Sequence, residues 1–133
     1  MKRTPLKKKS KTSSATLQRK LWELCRKIIK KKYGSTCYTC GKQRLMKSNR
    51  HTGHFIPKAA SGAYLKYDLR NLRPQCYHCN INLGGNGAAF YHNMVEREGQ
   101  EYVDQLFLDK QKIVKADDHY RMLIDKYETM LAK

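Results

Sequence analysis

Long apolar runs are missing from this sequence, and no stretch approaches the roughly 20 residues a membrane span requires, so a transmembrane protein is not expected. The start, Met1-Lys2-Arg3-Thr4-Pro5, carries charge with no apolar stretch behind it. That pattern argues against a secretory signal and for a cytoplasmic, reducing setting in which disulfides are not expected. There is no glycine-rich phosphate loop of the nucleotide-binding type and no internal repeat beyond a paired C-x-x-C. Acidic residues are scarce, 11 Asp/Glu against 28 Lys/Arg, and Asp68 is the only carboxylate between Glu23 and Glu96. Any metal site in the middle of the chain therefore has one carboxylate to call on.

What is present is positive charge, unevenly placed. The net charge is +17; residues 1–32 hold 13 Lys/Arg against one acid, and residues 33–80 hold eight against one. Residues 81–133 are slightly acidic, with seven Lys/Arg against nine Asp/Glu. A positive field confined to one part of a chain is the electrostatic footprint of a nucleic-acid binder, and its affinity should fall with salt as counterions return to the phosphates.

The length of 133 residues suits one domain. Residues 1–13 read as a disordered basic arm, and 14–133 as a single α+β, mostly helical domain. Ser13 or Ser14 can cap a helix running to about Tyr33, with Gly34 as its stop. Leu17, Leu21, Leu24, Cys25, Ile28 and Ile29 recur at helical spacing on it, which makes Cys25 a core residue. A short strand is expected over 50–56, a loop or hairpin connection over 58–66, and a second extended piece over 69–72. A helix should start near Asn80 and break at Gly84-Gly85-Asn86-Gly87; helices follow over 88–97, 101–108 and 116–131. In the last, Tyr120, Leu123, Ile124, Tyr127 and Leu131 form a stripe that reads as core packing.

Cys37-Tyr38-Thr39-Cys40 and Cys76-Tyr77-His78-Cys79 are the strongest signal. Each C-x-x-C turn presents two thiolates to one tetrahedral ion, so Cys37, Cys40, Cys76 and Cys79 are assigned to a structural Zn²⁺ that staples a small core. His78 could stand in for a thiolate, but four cysteines suffice.

Two histidines and two asparagines inside this clasp exceed what a structural zinc needs. Phosphodiester hydrolysis requires a base for the attacking water and a cation to offset charge at phosphorus. His54 on a strand, Asn71 seventeen residues on, and Asn80 directly after the last Cys match the pattern of the ββα-metal (HNH) nuclease fold. The alternative is that His51 and His54 are surface residues or simple phosphate contacts.

The segments His51-Thr52-Gly53-His54-Phe55 and Arg70-Asn71-Leu72-Arg73-Pro74-Gln75-Cys76-Tyr77-His78-Cys79-Asn80 resemble the Rap/NinG recombination endonucleases of lambdoid phages. Gly87 and the Glu98-Gly99-Gln100-Glu101 turn extend the likeness over about residues 37–108. The zinc frame with Asn after its last Cys is also similar to the endonuclease VII resolvases of T-even phages. The resemblance implies a zinc-stapled ββα-metal core over 35–95, preceded by the amphipathic helix and followed by C-terminal helices over 96–133. It implies a phage protein acting in the bacterial host cytoplasm, cutting branched DNA such as Holliday junctions and displacement loops. Carried over by residue, His54 would be the general base, Asn71 would brace the loop and orient it, and Asn80 would ligate a catalytic Mg²⁺ or Mn²⁺.

The second ligand departs from the pattern. The usual nuclease has Asp or His directly before the base, where this chain has Gly53, and the compared family has Asp three residues before it, where this chain has His51. His51 becomes the candidate if Gly53 bulges the strand and brings both imidazoles to one side. Asp68 and Asn82 are the further candidates. Imidazole and amide donors suit a transition ion as well as Mg²⁺.

Lys42, Arg44, Lys47, Arg50, Lys58, Lys66, Arg70 and Arg73 are the expected DNA-backbone contacts, interleaved with Tyr38, Phe55, Tyr64 and Tyr67, one of which could stack on an unpaired base. Junction cutting implies two sites, so a homodimer is expected, with helix 14–33 and the last helix as its surfaces. The rival readings are a non-catalytic zinc-ribbon nucleic-acid binder, an HNH enzyme acting on linear duplex, and a protein-binding adaptor built on the C-terminal helices.

Overall fold

The computed structural model describes residues 12–133, so most of the basic arm expected over 1–13 lies outside the described residues. The chain folds as α1 (Ser14–Tyr33), β1 (His51–His54), α2 (Lys58–Lys66), β2 (Leu72–Gln75), α3 (Gly87–Glu98), α4 (Gln100–Asp109) and α5 (Ala116–Ala132). Two short 3₁₀ turns, Lys47–Asn49 and Leu69–Asn71, precede the strands, and a π-helical turn, His78–Asn82, follows β2.

Helix α1 begins where the Ser13 side chain accepts a hydrogen bond from Thr16 N, and ends at Gly34, whose φ of 75° only glycine adopts freely. Its stripe of Leu17, Leu21, Leu24, Cys25, Ile28 and Ile29 is buried against Tyr120, Leu123, Ile124 and Tyr127 of α5, with Tyr67 and Leu72 beneath. The stripe on α5 is thus core packing, as its spacing suggests. Because α1 and α5 bury their apolar faces in each other, a dimer formed through either would use its polar side. A second cluster joins Tyr38, Phe55, Ile56 and Leu65 to Phe90, Met94, Val103 and Leu106 of α3 and α4. Among the described residues no helix is long and apolar enough to cross a membrane.

Three local expectations are corrected. Residues 58–66 are helical rather than a loop: Ala59, Ala60, Ala63 and Leu65 favour helix, and Gly62, at φ 63° and ψ 176°, only kinks it. The second extended piece runs Leu72–Gln75 rather than 69–72, since the Asp68 carboxylate accepts from Arg70 N and closes Leu69–Asn71 as a 3₁₀ turn. Residues after Cys79 form a π turn instead of the start of a regular helix.

Strands β1 and β2 pair antiparallel in unbroken register, His51 with Gln75 through His54 with Leu72. There is no bulge at Gly53. Glycine is required there for another reason: a Cβ would collide with the Gln75 carboxamide and come within 3.2 Å of Asn80 Oδ1.

Arg73, on β2, is fully buried rather than offered to DNA. Its Nη1 donates to the carbonyls of Leu69, Arg70 and Leu72 at 2.7–3.3 Å. Its Nη2 donates to Glu98 Oε2 at 3.1 Å and Tyr102 Oη at 3.0 Å. Tyr33 and Tyr38 rings lie 4.6 and 5.2 Å from the guanidinium carbon. One cation thereby ties the sheet to the end of α1, the first Cys turn and the α3–α4 corner. Arg70, only partly buried, is also paired within the fold, bridging Asp68 at 2.8 Å and Asp109 at 3.0 Å. Both are corrected from DNA contacts to structural ion pairs. Lysine cannot reproduce a five-donor planar fork, so Arg73→Lys should lower unfolding free energy by about 3 kcal/mol in urea titrations. A change within about 0.5 kcal/mol, the range of an ordinary surface substitution, would contradict this role.

Candidate functional site

The sulfurs of Cys37, Cys40, Cys76 and Cys79 all lie within 4.8 Å of one another, three of them on buried residues. Cys40 Sγ and Cys76 Sγ are 3.8 Å apart. A regular tetrahedron of thiolates on zinc, with bonds of about 2.3 Å, has edges of about 3.8 Å. Donors surround the cluster: Cys79 N reaches Cys76 Sγ at 3.4 Å, Asn86 Nδ2 reaches Cys79 Sγ at 3.5 Å, and Thr39 Oγ1 lies 3.3 Å from Cys37 Sγ. Such donors stabilise thiolates. The donor set fits structural zinc, and His78 is outside it, exposed and bonded to Asn82 Nδ2 at 3.2 Å.

Beside the cluster a cleft of about 420 Å³ opens, lined by His51, Thr52 and His54 of β1, Asn80 and Ile81 of the π turn, and Trp22 and Arg26 of α1. Lys47, Arg50 and Lys58 complete its basic rim. A second cleft of about 300 Å³ adjoins it, shares Trp22, His54 and Lys58, and adds Arg19 and Lys66. His54 therefore sits on the divide between two positively lined hollows.

His51 and His54 reach the same cleft although alternation along an unbulged strand assigns them to opposite faces. Among the described residues the sheet has only two strands, so one edge of β1 has no strand partner.

Each imidazole is fixed by a backbone carbonyl, and a carbonyl can only accept. His54 Nε2–H donates to Lys66 O at 2.8 Å, leaving Nδ1 as the lone-pair nitrogen, with no hydrogen-bond partner among the described residues. His51 Nε2–H donates to Ser48 O at 2.9 Å, and its Nδ1 takes a hydrogen bond from Asn80 Nδ2 at 2.9 Å. His54 stays neutral: burial pushes its pKa down to about 4, the Lys66 carbonyl acts against this, and the charges of Lys58 and Lys66 add to it. A general base works best with a pKa near the working pH, and this one is held well below neutrality.

Asn71 is fully buried. Its Oδ1 accepts from Ile56 N at 2.7 Å, its Nδ2 donates to Ile56 O at 3.0 Å, and its own carbonyl accepts from Phe55 N at 2.8 Å. It clamps the chain just after His54 without touching the ring.

Other expected residues divide clearly. Lys47, Arg50, Lys58 and Lys66 border the clefts, while Lys42 and Arg44 are exposed on the Cys37–Leu45 turn. Asp68 is paired with Arg70 and Asn82 with His78, and neither lines the cleft, so both are corrected as candidate metal ligands. Tyr38 and Phe55 are buried, and Tyr64 stacks on His119 of α5, 5.2 Å between centroids. Tyr77 meets the His51 ring edge-on, centroids 5.5 Å apart, and the aromatic that lines the cleft is Trp22. Sequence reasoning passed over Trp22, Arg19 and Arg26. Their signal was a second helical stripe, at spacings of three, four and seven, next to the apolar one.

The sequence model of a family described as Bacteriophage Lambda NinG protein matches residues 1–133. Protein ninG of Escherichia phage 933W is 30% identical over 95 residues, 71% of this chain and 46% of that protein. Protein ninG of Escherichia phage lambda is 33% identical over 70 residues, 53% of this chain and 33% of that protein. Protein ninG of Salmonella phage P22 is 32% identical over 76 residues, covering 57% and 36%. The chain thus spans less than half the length of these relatives. No solved structure matches it.

If the four sulfurs share one zinc, a metal assay should find about one Zn²⁺ per chain, and chelation should release it with cooperative loss of the fold around β1 and β2. Cys76→Ser should behave like the chelated protein. An unchanged melting curve in either sample would refute the staple.

Proposed function

The chain belongs to the bacteriophage lambda NinG family, and from that premise we propose that it is a metal-dependent DNA endonuclease of the ββα-metal (HNH) type, cutting branched recombination intermediates in the host cytoplasm. The observation that carries the reading is His54: a neutral imidazole with Nε2–H tied to Lys66 O and Nδ1 left as the lone-pair nitrogen, in a basic cleft beside His51 and Asn80.

His51, through Nδ1, and Asn80, through its carboxamide oxygen once the amide turns, would hold Mg²⁺ or Mn²⁺. The pair is already in contact at 2.9 Å, and an imidazole–carboxamide set without a carboxylate favours Mn²⁺ over Mg²⁺ by donor softness. Such an ion, when bound, offsets charge on the scissile phosphate and on the departing oxygen.

The remaining work falls to the chain. His54 Nδ1 takes the proton of the attacking water, and the Lys66 carbonyl bonded to Nε2–H steadies the imidazolium that forms. Bound DNA phosphates offset the Lys58 and Lys66 charges that now depress the ring's pKa, moving the base toward working pH on substrate binding. Asn71 keeps the backbone after β1 from shifting under this load. Arg26, Lys47, Arg50 and Lys58 receive flanking phosphates, contacts that give affinity without sequence choice and suit a structure-selective enzyme. Resolution of a four-way junction takes two such sites, so a homodimer is part of the proposal.

The test is cleavage of a synthetic four-way junction beside a linear duplex of the same sequence, with Mg²⁺, Mn²⁺ or EDTA, for wild type and His54→Ala. Paired, metal-dependent cuts at the junction, lost by at least about 10²-fold in the variant, are expected. Equal cutting of the linear duplex would move the reading to a linear-duplex HNH enzyme. Binding without cutting under any metal would leave a zinc-ribbon binder, and full activity in His54→Ala would sink the base.

A further inference from the structure

We propose that Trp22 is the positioning residue of the His54 base: its indole, laid flat on the imidazole, fixes the plane of the ring and keeps water off one face. This rests on the reading of His54 given above. The two rings are stacked, centroids 5.3 Å apart and planes 9° from parallel. They come from elements distant in sequence, α1 and β1, and Trp22 is the single tryptophan of the chain.

A second constraint is needed because the first is incomplete. One hydrogen bond, from Nε2 to Lys66 O, leaves the imidazole free to swing about that contact, and with it the direction of the Nδ1 lone pair. A stacked ring removes that rotation. The indole is itself backed by Tyr67, edge-on at 6.2 Å, whose hydroxyl is tied to Gln18 Oε1 at 2.8 Å. Trp22 is not one of the buried residues of α1; it packs against the edge of their cluster, stays partly buried, and borders both clefts, so one side of the indole rests on the core and its face is given to His54.

Among the described residues the charged groups lining the clefts at His54 are Arg19 and Arg26 on α1, Lys47 and Arg50 ahead of β1, and Lys58 and Lys66 on α2, with the His51 ring and the Tyr67 hydroxyl nearby. An indole face attracts a cation and would by itself favour the imidazolium. Burial outweighs it, being the first cause of the ring's lowered pKa of about 4. Removing the indole admits water, so the pKa should climb toward the free value of about 6.5.

The experiment measures pH profiles of kcat/KM for junction cleavage in wild type, Trp22→Ala and Trp22→Phe, together with the tryptophan fluorescence of wild type and His54→Gln across the same pH range. In Trp22→Ala the rate should fall about 10²-fold from misplacement of the base. Its acid limb should move up by one to two pH units. Trp22→Phe, keeping a flat ring, should recover most of both. The wild-type emission should show an acid transition that His54→Gln lacks, since an imidazolium against an indole quenches it. An unchanged rate and limb in Trp22→Ala overturns the proposal. So does a uniform fall in rate with no shift of the limb and no recovery in Trp22→Phe, which is the signature of a merely structural residue. Absence of wild-type cleavage under every metal would end the nuclease reading and the positioning role with it, whereas a fluorescence transition in that case would still record the stack.

Discussion

The meeting of four cysteine sulfurs is the constraint on which the rest depends. It joins a turn at Cys37–Cys40 to the end of β2 and the π turn, segments separated by 35 residues of chain that contain a two-stranded sheet, a kinked helix and two 3₁₀ turns. A sheet this small is marginal alone. Pinned at one end by the sulfurs and at the other by Arg73 among Tyr33, Tyr38, Tyr102 and Glu98, it becomes a rigid floor. The π turn that starts within the second Cys pair then carries Asn80 to His51. Gly53 lets the Gln75 and Asn80 side chains close over β1 where any larger residue would hold them off.

The cleft concentrates cations around a neutral base. Lys47, Arg50 and Lys58 line one side and Arg19 and Lys66 the other, while burial first, and the charges of Lys58 and Lys66 after it, keep His54 unprotonated. Not every cation lines the clefts: Arg70 and Arg73 are consumed by Asp68, Asp109 and Glu98 in holding the frame. Net charge counted from sequence overstates the positive charge left outside such pairs.

Much of this was legible in the residues. The C-x-x-C pairs announced the sulfur cluster, helical spacing announced α1 and α5 with their correct bounds, and Gly34 marked the end of α1. His51, His54 and Asn80 do share a cleft. What was not legible came from tertiary context. Alternation along a strand separates positions three apart, yet His51 and His54 line one cleft. Arg70 and Arg73 look like surface charges until their partners, 25 to 39 residues on, are known. Ser61-Gly62 looks like a turn, but alanines and a buried Leu65 keep the flanking residues helical. Trp22 gave no hint of His54, since stacking between distant elements leaves no local pattern.

The claim that His51 and Asn80 form a divalent-ion site next to, and separate from, the base is tested most directly by calorimetric titration of Mn²⁺ into the zinc-loaded protein and its His51→Ala, Asn80→Ala and His54→Ala variants. The account predicts one Mn²⁺ site in wild type, kept within about threefold in His54→Ala and weakened by at least about 10-fold in the other two. Equal affinity in all four proteins would contradict it.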